Sequence, residues 1–330
     1  MLVVTGGGGF IGSVLAAQLN EAGRADLVIV DHFGSGDKWR NIAKRDFAEI
    51  VSLDGLPAWL ERYGAEVEAV FHLGANSSTF ETDTDAIIAT NLNASIAWWR
   101  WCAARGKMLI YASSAATYGD GSAGFEDSPD SAALKRLRPL NLYGWSKHAF
   151  DLWALREAAA GRAPPLWIGL KFFNVFGPNE YHKGEMMSLV AKNYRSVAAG
   201  ETIRLFRSHR PDYRDGEQCR DFVYVKDCAA AMLWLWQHAN GAEIDGIYNF
   251  GTGEARSFLD LMNALGRACG VAPVIEFIDI PPAIGANYQY FTEAKMSRLR
   301  QAGYTAPFTP LEDAVADFVG QYLTAADPYL

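Results

Sequence analysis

The chain has 330 residues, 50% hydrophobic and 21% charged. That balance excludes a wholly disordered chain, whose low hydrophobicity could not offset the entropy of ordering, and at about 150 residues per domain it suggests roughly two domains. Thirty Lys and Arg against 38 Asp and Glu give a formal charge of −8, so a mainly electrostatic nucleic-acid binder falls in rank.

The four cysteines, Cys102, Cys219, Cys228 and Cys269, are far apart and form neither a CxxC nor a Cys/His cluster. No metal site is expected, and a reducing compartment is favoured. Met1 runs directly into a strand pattern without the basic and apolar regions of a signal peptide. No apolar run approaches the ~20 residues of a membrane span. The expectation is a cytoplasmic protein without membrane or nucleic-acid partners.

Leu2–Thr5 reads as the first strand and Phe10 to Ala22 as the first helix. Strands follow at Leu27–Val30, Val67–Leu73, Met108–Ala112 and Leu166–Phe173, with helices near Asp85–Arg105 and Tyr143–Ala160 between them. These strands are apolar on both faces, as a parallel sheet covered by helices on both sides requires. The alternation predicts an α/β fold, a doubly wound, Rossmann-like parallel sheet. Beyond it, Asn174–Gly184 reads as a loop, Glu185–Ala199 as helix, Arg204–Arg220 as a polar stretch and Phe222–Val225 as strand. Lys226–Ala239 reads as helix, Ile247–Phe250 as strand, Ser257–Cys269 as helix and Leu311 to Leu323 as the last helix. The expected division is a dinucleotide-binding domain at 1–173, 221–252 and about 284–304, with a smaller α/β substrate-binding domain from 174–220, 253–283 and 305–330. Trp98, Trp99 and Trp101 read as core or subunit-contact residues.

Gly6, Gly9 and Gly12 form Gly-x-x-Gly-x-x-Gly between the first strand and first helix. Without a Cβ the backbone can turn tightly and approach a pyrophosphate at the helix N-terminus. Alone, such a cluster is also compatible with a plain turn; the strand–turn–helix context favours a dinucleotide. Asp31 ends the second strand at the distance of a ribose-binding carboxylate, or is a solvated strand-end residue. A carboxylate there favours NAD. Lys38 either offsets its repulsion of a 2′-phosphate or is an ordinary surface lysine, so these residues leave NAD and NADP both open. Leu73, Gly74, Ala75 and Asn76 follow a strand and either pass close to the cofactor or pack a strand end. Asn91 is a candidate for holding that loop.

Tyr143 and Lys147 stand at i and i+4, on one helix face. A tyrosine with a pKa near 10 is a poor base at neutral pH; a neighbouring ammonium favours the phenolate and is expected to lower that value. Lys147 is also placed to donate to a nicotinamide ribose. Upstream, Ser114 and then Thr117 are candidates to hydrogen-bond a substrate oxygen that alternates between alcohol and ketone; strand-end capping is the plainer role.

Together the glycine motif, the serines and Tyr-x-x-x-Lys make the chain resemble the extended short-chain dehydrogenase/reductase family, from Met1 to nearly the last residue. Stretches Ala112–Gly119, Pro139–Lys147, Phe172–Gly184, Arg220–Val225 and Tyr288–Thr292 resemble, more narrowly, the members that epimerise a nucleotide-linked heptose. His182-Lys183-Gly184 is the discriminating element. The resemblance implies an ADP-heptose substrate, an NADP cofactor (NAD also fitting), a homo-oligomer of five copies, and a cytoplasmic role in lipopolysaccharide precursor synthesis. It implies that Tyr143 and Lys183 are acid/base residues on opposite faces of the sugar centre, with Ser114 and Asn174 on the substrate and Arg220 and Tyr288 on its nucleotide. Glu185, Lys192, Phe206 and Arg207 are expected beside the substrate. Phe10, Ile11, His32 and Val175 are expected beside the cofactor.

There are departures from the family pattern. Leu53 stands near where some relatives have lysine, Leu73 where some have an acid, Glu185 where serine often touches substrate, and Ser208–Gln218 is longer. Rival readings are another nucleotide-sugar 4-epimerase and a non-catalytic dinucleotide sensor on the same fold. A dehydratase ranks lower, because no Asp-Glu pair follows Thr117. The Arg204–Arg220 stretch holds five arginines and three acids, a local basic insert suited to a small diphosphate.

Overall fold

The computed structural model describes residues 1–238, 244–281 and 288–330. In chain order its strands are β1 (Leu2–Thr5), β2 (Leu27–Val30), β3 (Glu49–Val51), β4 (Ala69–His72), β5 (Met108–Ser114), β6 (Trp167–Phe172), β7 (Asn174–Phe176), β8 (Thr202–Phe206), β9 (Cys219–Tyr224), β10 (Gly246–Phe250), β11 (Ala255–Ser257) and β12 (Val274–Ile278). Seven of them form one parallel sheet in the order β10-β6-β5-β4-β1-β2-β3. The chain winds outward from β1 in one direction to β3, then returns beside β1 with β4 and winds the other way. The predicted doubly wound sheet is therefore present. β1, β2, β4, β6 and β10 are buried throughout, which is why their sequences are apolar without alternation.

This topology determines where chemistry can occur. Ligands in such sheets bind outside the carboxyl ends of the strands, where the winding reverses. Gly6 follows β1, Leu73 follows β4, Ser114 ends β5 and Asn174 lies just past β6. One sheet edge thus gathers groups that are more than 160 positions apart in the chain.

The later half differs in detail from the sequence reading. Two smaller sheets, β11-β9-β7 and β12-β8, lie beside the main one. The expected Asn174–Gly184 loop contains β7 and a short 3-10 turn at Tyr181–Met186. The helix expected from Glu185 begins only at Leu189. Gly184 has φ +53°, which breaks helical continuity, and the Ser188 side chain caps the new helix by accepting from Ala191 N. The arginine-rich stretch opens with β8, whose burial alternates. The last helix is α-helical over Leu311–Asp317 and widens to a π turn at Phe318–Leu323. Edge strand β3, helix Leu56–Tyr63 and β12 had no counterpart in the sequence reading. Ala239 and residues 282–287 of the expected boundaries lie outside the described residues.

Trp99 is fully buried and packs edge-on against Trp153 and Trp167 in the core. Among the described residues no helix is long and apolar enough to cross a membrane. No group of three or more His, Cys, Asp or Glu side chains among them is placed to hold a metal ion.

Candidate active site

A cavity of about 610 Å³ opens at the carboxyl edge of the main sheet. Gly6, Gly9, Phe10, Ile11 and Gly12 line one part. Gly6 has φ +67°, and a Cβ there would lie 2.6 Å from Gly74 N. A Cβ on Gly12 would overlap the Gly6 carbonyl oxygen. Both positions therefore require glycine for close backbone approach. Gly9 starts helix Phe10–Glu21 with no side-chain cap, so the first N–H groups of that helix are available to an anion. A bare glycine cradle before an uncapped helix fits the pyrophosphate of a dinucleotide.

At the ribose end, Asp31 accepts from Gly8 N at 2.8 Å, His32 N at 2.7 Å and Lys38 Nζ at 2.6 Å. Lys38 is thus an ion-pair partner of Asp31. His32 is exposed and does not line the cavity.

Leu73, Gly74 and Ala75 line the cavity, held by a buried relay. Gly74 N donates to Thr5 Oγ1 at 3.1 Å, and Thr5 Oγ1 lies 2.7 Å from His72 Nδ1. His72 Nε2 lies 3.0 Å from Ser95 Oγ, which donates to Asn91 O. Thr5 therefore donates to Nδ1 and His72 carries its proton on Nε2. Burial and, to a smaller extent, the Lys147 charge hold the His72 pKa down at about 3. The Asn91 side chain accepts from Asn76 N at 2.8 Å and donates to Asn76 O at 2.9 Å and Ser146 Oγ at 3.0 Å. Asn76 and Asn91 brace the loop from behind and do not line the cavity.

Ser114, Tyr143 and Lys147 share the lining. Asn141 caps helix Leu142–Ala159 by accepting from Gly144 N at 2.8 Å, which sets the turn that presents Tyr143. Lys147 donates to Ala112 O at 2.8 Å, and burial lowers its pKa to about 8. Tyr143 departs from expectation: burial raises its pKa, the Ser114 hydroxyl partly offsets this, and Asp151 adds to the rise. The cost of desolvating a phenolate outweighs any benefit from Lys147, whose ammonium is engaged by the Ala112 carbonyl. Thr117 is fully buried, donates to Ser114 O at 2.8 Å and does not line the cavity.

Lys183 also lines the cavity, with Nζ 5.1 Å from the centre of the Phe10 ring. Burial lowers its pKa, opposed by the nearby Glu180 carboxylate. Glu180 is fully buried and organises the segment by accepting from Gly177 N, Ser188 N and Ser188 Oγ. Asn174 and Val175 also line the cavity.

At the far end Arg220 is 7% exposed, lies between Tyr288 and Phe258, and hydrogen-bonds the carbonyls of Cys219 and Gln289. Among the described residues it has no carboxylate partner. A desolvated guanidinium without a counterion, facing a cavity, is a ready diphosphate site.

Four expected substrate residues lie elsewhere. Glu185 is 91% exposed and pairs with Lys192 at 3.0 Å. Phe206 packs edge-on against Tyr288, behind the cavity lining. Arg207 is 53% exposed and faces Asp215 and Asp279. The Ser208–Gln218 segment folds back onto Tyr290, whose hydroxyl accepts from His209 N at 2.9 Å and whose ring packs at a tilt against Tyr213 and under the Arg210 guanidinium. His72 and Asn41 carry no sequence signal of their own: neither belongs to a motif, and each acts through a partner distant in sequence, Thr5 for His72 and Gly8 for Asn41.

The family model for the NAD dependent epimerase/dehydratase family matches residues 2–251. The chain belongs to this family. It is 48% identical over 338 residues to an ADP-L-glycero-D-manno-heptose-6-epimerase of Nitratidesulfovibrio vulgaris (strain DP4), covering 100% of both chains. Among solved structures it is similar to the Helicobacter pylori ADP-L-glycero-D-manno-heptose-6-epimerase (27% identity, TM-score 0.76, covering 97% of this chain and 95% of that one). It is also similar to the Thermus thermophilus UDP-glucose 4-epimerase in complex with NAD (25% identity, TM-score 0.78, covering 98% and 99%). As in other members of an NAD-dependent family, the glycine loop and Asp31 would hold a nicotinamide dinucleotide.

Proposed function

We propose that the protein is an isomerase that inverts C6 of ADP-D-glycero-D-manno-heptose to give ADP-L-glycero-D-manno-heptose. The carrying observation is that Tyr143 and Lys183 line one cavity with the glycine loop and with Arg220, which has no carboxylate partner among the described residues. The full-length 48% identity to a heptose epimerase supports the choice of sugar.

The C6 proton is not α to a carbonyl, so direct deprotonation would leave an unstabilised carbanion. When bound, the nicotinamide supplies a hydride acceptor and donor, which allows inversion by way of a 6-ketone. The protein's task is then orientation and proton transfer at O6. Tyr143, with a raised pKa, rests protonated and serves as an acid; Lys183, with a lowered one, is nearer its neutral form and serves as a base. Opposed shifts of this kind separate acid and base roles. After rotation about C5–C6 the two residues address opposite faces of the sugar. Ser114 and Asn174 hold the oxygens of the reacting end, Lys147 the nicotinamide ribose, and Arg220 with Tyr288 the ADP.

The cofactor is NADP in this reading, supported by the 2.6 Å Lys38–Asp31 pair that neutralises the ribose-side carboxylate. Family resemblance also gives a cytoplasmic homo-oligomer, a pentamer. The deciding experiment incubates purified protein with ADP-D-glycero-D-manno-heptose and resolves the C6 epimers. Formation of both epimers is expected. Turnover of UDP-galactose but not ADP-heptose would instead identify a 4-epimerase, and dinucleotide binding without turnover of either would indicate a sensor.

A further inference from the structure

Asn179 is the one non-glycine residue with a positive φ among the described residues, +71°, and it is fully buried four positions before Lys183. Asparagine tolerates this left-handed backbone better than most residues, yet such a conformation persists only where the surroundings fix it. Its side chain shows what fixes it. Oδ1 accepts from Leu330 N at 2.9 Å; an N–H can only donate, so the amide nitrogen faces the other way. Nδ2 donates to Ser13 Oγ at 3.0 Å and to Asn41 O at 3.4 Å. The Asn179 carbonyl accepts from the His182 ring. Four segments distant in sequence thus meet at one residue: the helix that opens with Phe10, the Asp37–Ile42 segment, the Lys183 segment and residues 327–330.

The tie to Ser13 bears on the reaction. Ser13 Oγ donates to Phe10 O at 3.0 Å, and the Phe10 ring is the one that Lys183 Nζ approaches to 5.1 Å. Phe10 therefore anchors the start of the Lys183 segment by way of Ser13 and meets Nζ at its far end through the ring. Residues 327–330 close over the tie. Tyr181 OH donates to Pro328 O at 2.8 Å and Lys44 Nζ to Tyr329 O at 2.7 Å. The buried Tyr329 ring packs edge-on against Tyr181 and under the Arg40 guanidinium. Water is thereby kept from the Asn179 amide, where it would compete for each bond.

We propose that Asn179 is a positioning residue for proton transfer: it holds the segment that carries Lys183 against the first turn of the glycine-loop helix, so that Nζ keeps one place relative to the dinucleotide and the sugar. This rests on the acid/base role of Lys183 argued above. Asn179 does not line the cavity and acts only through Lys183. Tyr143 stands on a separate helix with its own cap at Asn141, so the tie governs one of the two proton-transfer residues and not the other.

The test is steady-state epimerisation of ADP-D-glycero-D-manno-heptose by full-length variants, with dinucleotide affinity measured by calorimetry. Asn179→Gly keeps the left-handed backbone without strain and removes only the side-chain ties. It lowers kcat about tenfold, the scale of a modest misplacement of a reacting group, while KM and the dinucleotide Kd change by less than about threefold. Ser13→Ala breaks one tie, leaves position 179 intact and lowers kcat in the same direction by a smaller factor; it carries the same comparison if Asn179→Gly does not fold. In a Lys183→Met background neither change costs further rate, because the residue they position is gone; a merely structural role would cost as much there as in the wild type. Wild-type kcat in Asn179→Gly, or an undiminished loss in the Lys183→Met background, overturns this inference while the two-base reading stands. Near-wild-type turnover by Lys183→Met itself overturns the two-base reading, and this inference with it.

Discussion

Lys171 Nζ lies 2.7 Å from Asp151 Oδ2, and neither side chain has any solvent exposure. The same carboxylate accepts from Ser113 Oγ at 2.7 Å and Tyr111 OH at 3.1 Å, and Lys171 also donates to Thr117 Oγ1 at 2.7 Å. This network lies behind Ser114 and one helical turn beyond Lys147. Removing one partner of such a pair leaves an uncompensated buried charge. Lys171→Met is expected to destabilise the protein by about 3–5 kcal/mol in denaturant titrations, and Asp151→Asn combined with it by less than the two single changes added together. Strict additivity would show that the two charges do not interact.

Tyr143→Phe and Lys183→Met are each expected to lower the epimerisation rate by about a hundredfold or more, the usual worth of a positioned acid or base. Dinucleotide binding and thermal stability should stay near wild type. Near-wild-type turnover by either variant would exclude the two-base assignment.

Arg220 is expected to bind substrate rather than to act on it. Arg220→Leu should raise KM for ADP-heptose at least about tenfold and weaken inhibition by ADP to a similar degree, on the scale of a lost charge-assisted hydrogen bond. Arg220→Lys should recover only part of this, because an ammonium lacks the planar fork. Steady-state kinetics separate the effect from a change in kcat.

Lys38→Ala tests the ribose-side pair. With its ammonium gone, Asp31 repels a 2′-phosphate directly, so affinity for NADP+ should fall by about tenfold or more while that for NAD+ changes little. Equal losses for the two dinucleotides would remove Lys38 from the discrimination.

His72 makes stability depend on pH. Its folded pKa of about 3 is below the ordinary 6.5, so the folded state resists protonation more than the unfolded chain does. The stabilisation is complete above about pH 6.5 and is lost as pH falls toward about 3. Melting temperatures should therefore drop across that window, and His72→Gln should show a shallower drop. An unchanged slope would place the acid sensitivity in other groups.

The sheet was legible in the sequence because its strands are buried on both faces. Uninterrupted apolar runs such as Leu27–Val30 announce themselves without knowledge of any partner. Gly6, Gly12, Asp31, Tyr143 and Lys147 were legible because their spacing is local: a turn, a strand end, one helical turn. β3 and β12, which are largely or partly exposed, were not, since their strand state depends on pairing with β2 and β8. Nor was the start of helix Leu189–Ala198, which Ser188 and Gly184 set together.

By itself, then, the amino-acid sequence determined the sheet, the glycine turn after its first strand and the Tyr-x-x-x-Lys pair. All three arise from local patterns of burial and spacing. Tertiary structure alone decided that Arg220 has no carboxylate partner among the described residues, that Glu185 and Arg207 face solvent, that burial raises the Tyr143 pKa rather than lowering it, and that Asn41 joins Gly8 to His182. Each of these depends on which distant groups share a space from which water is excluded, and linear order does not encode that directly.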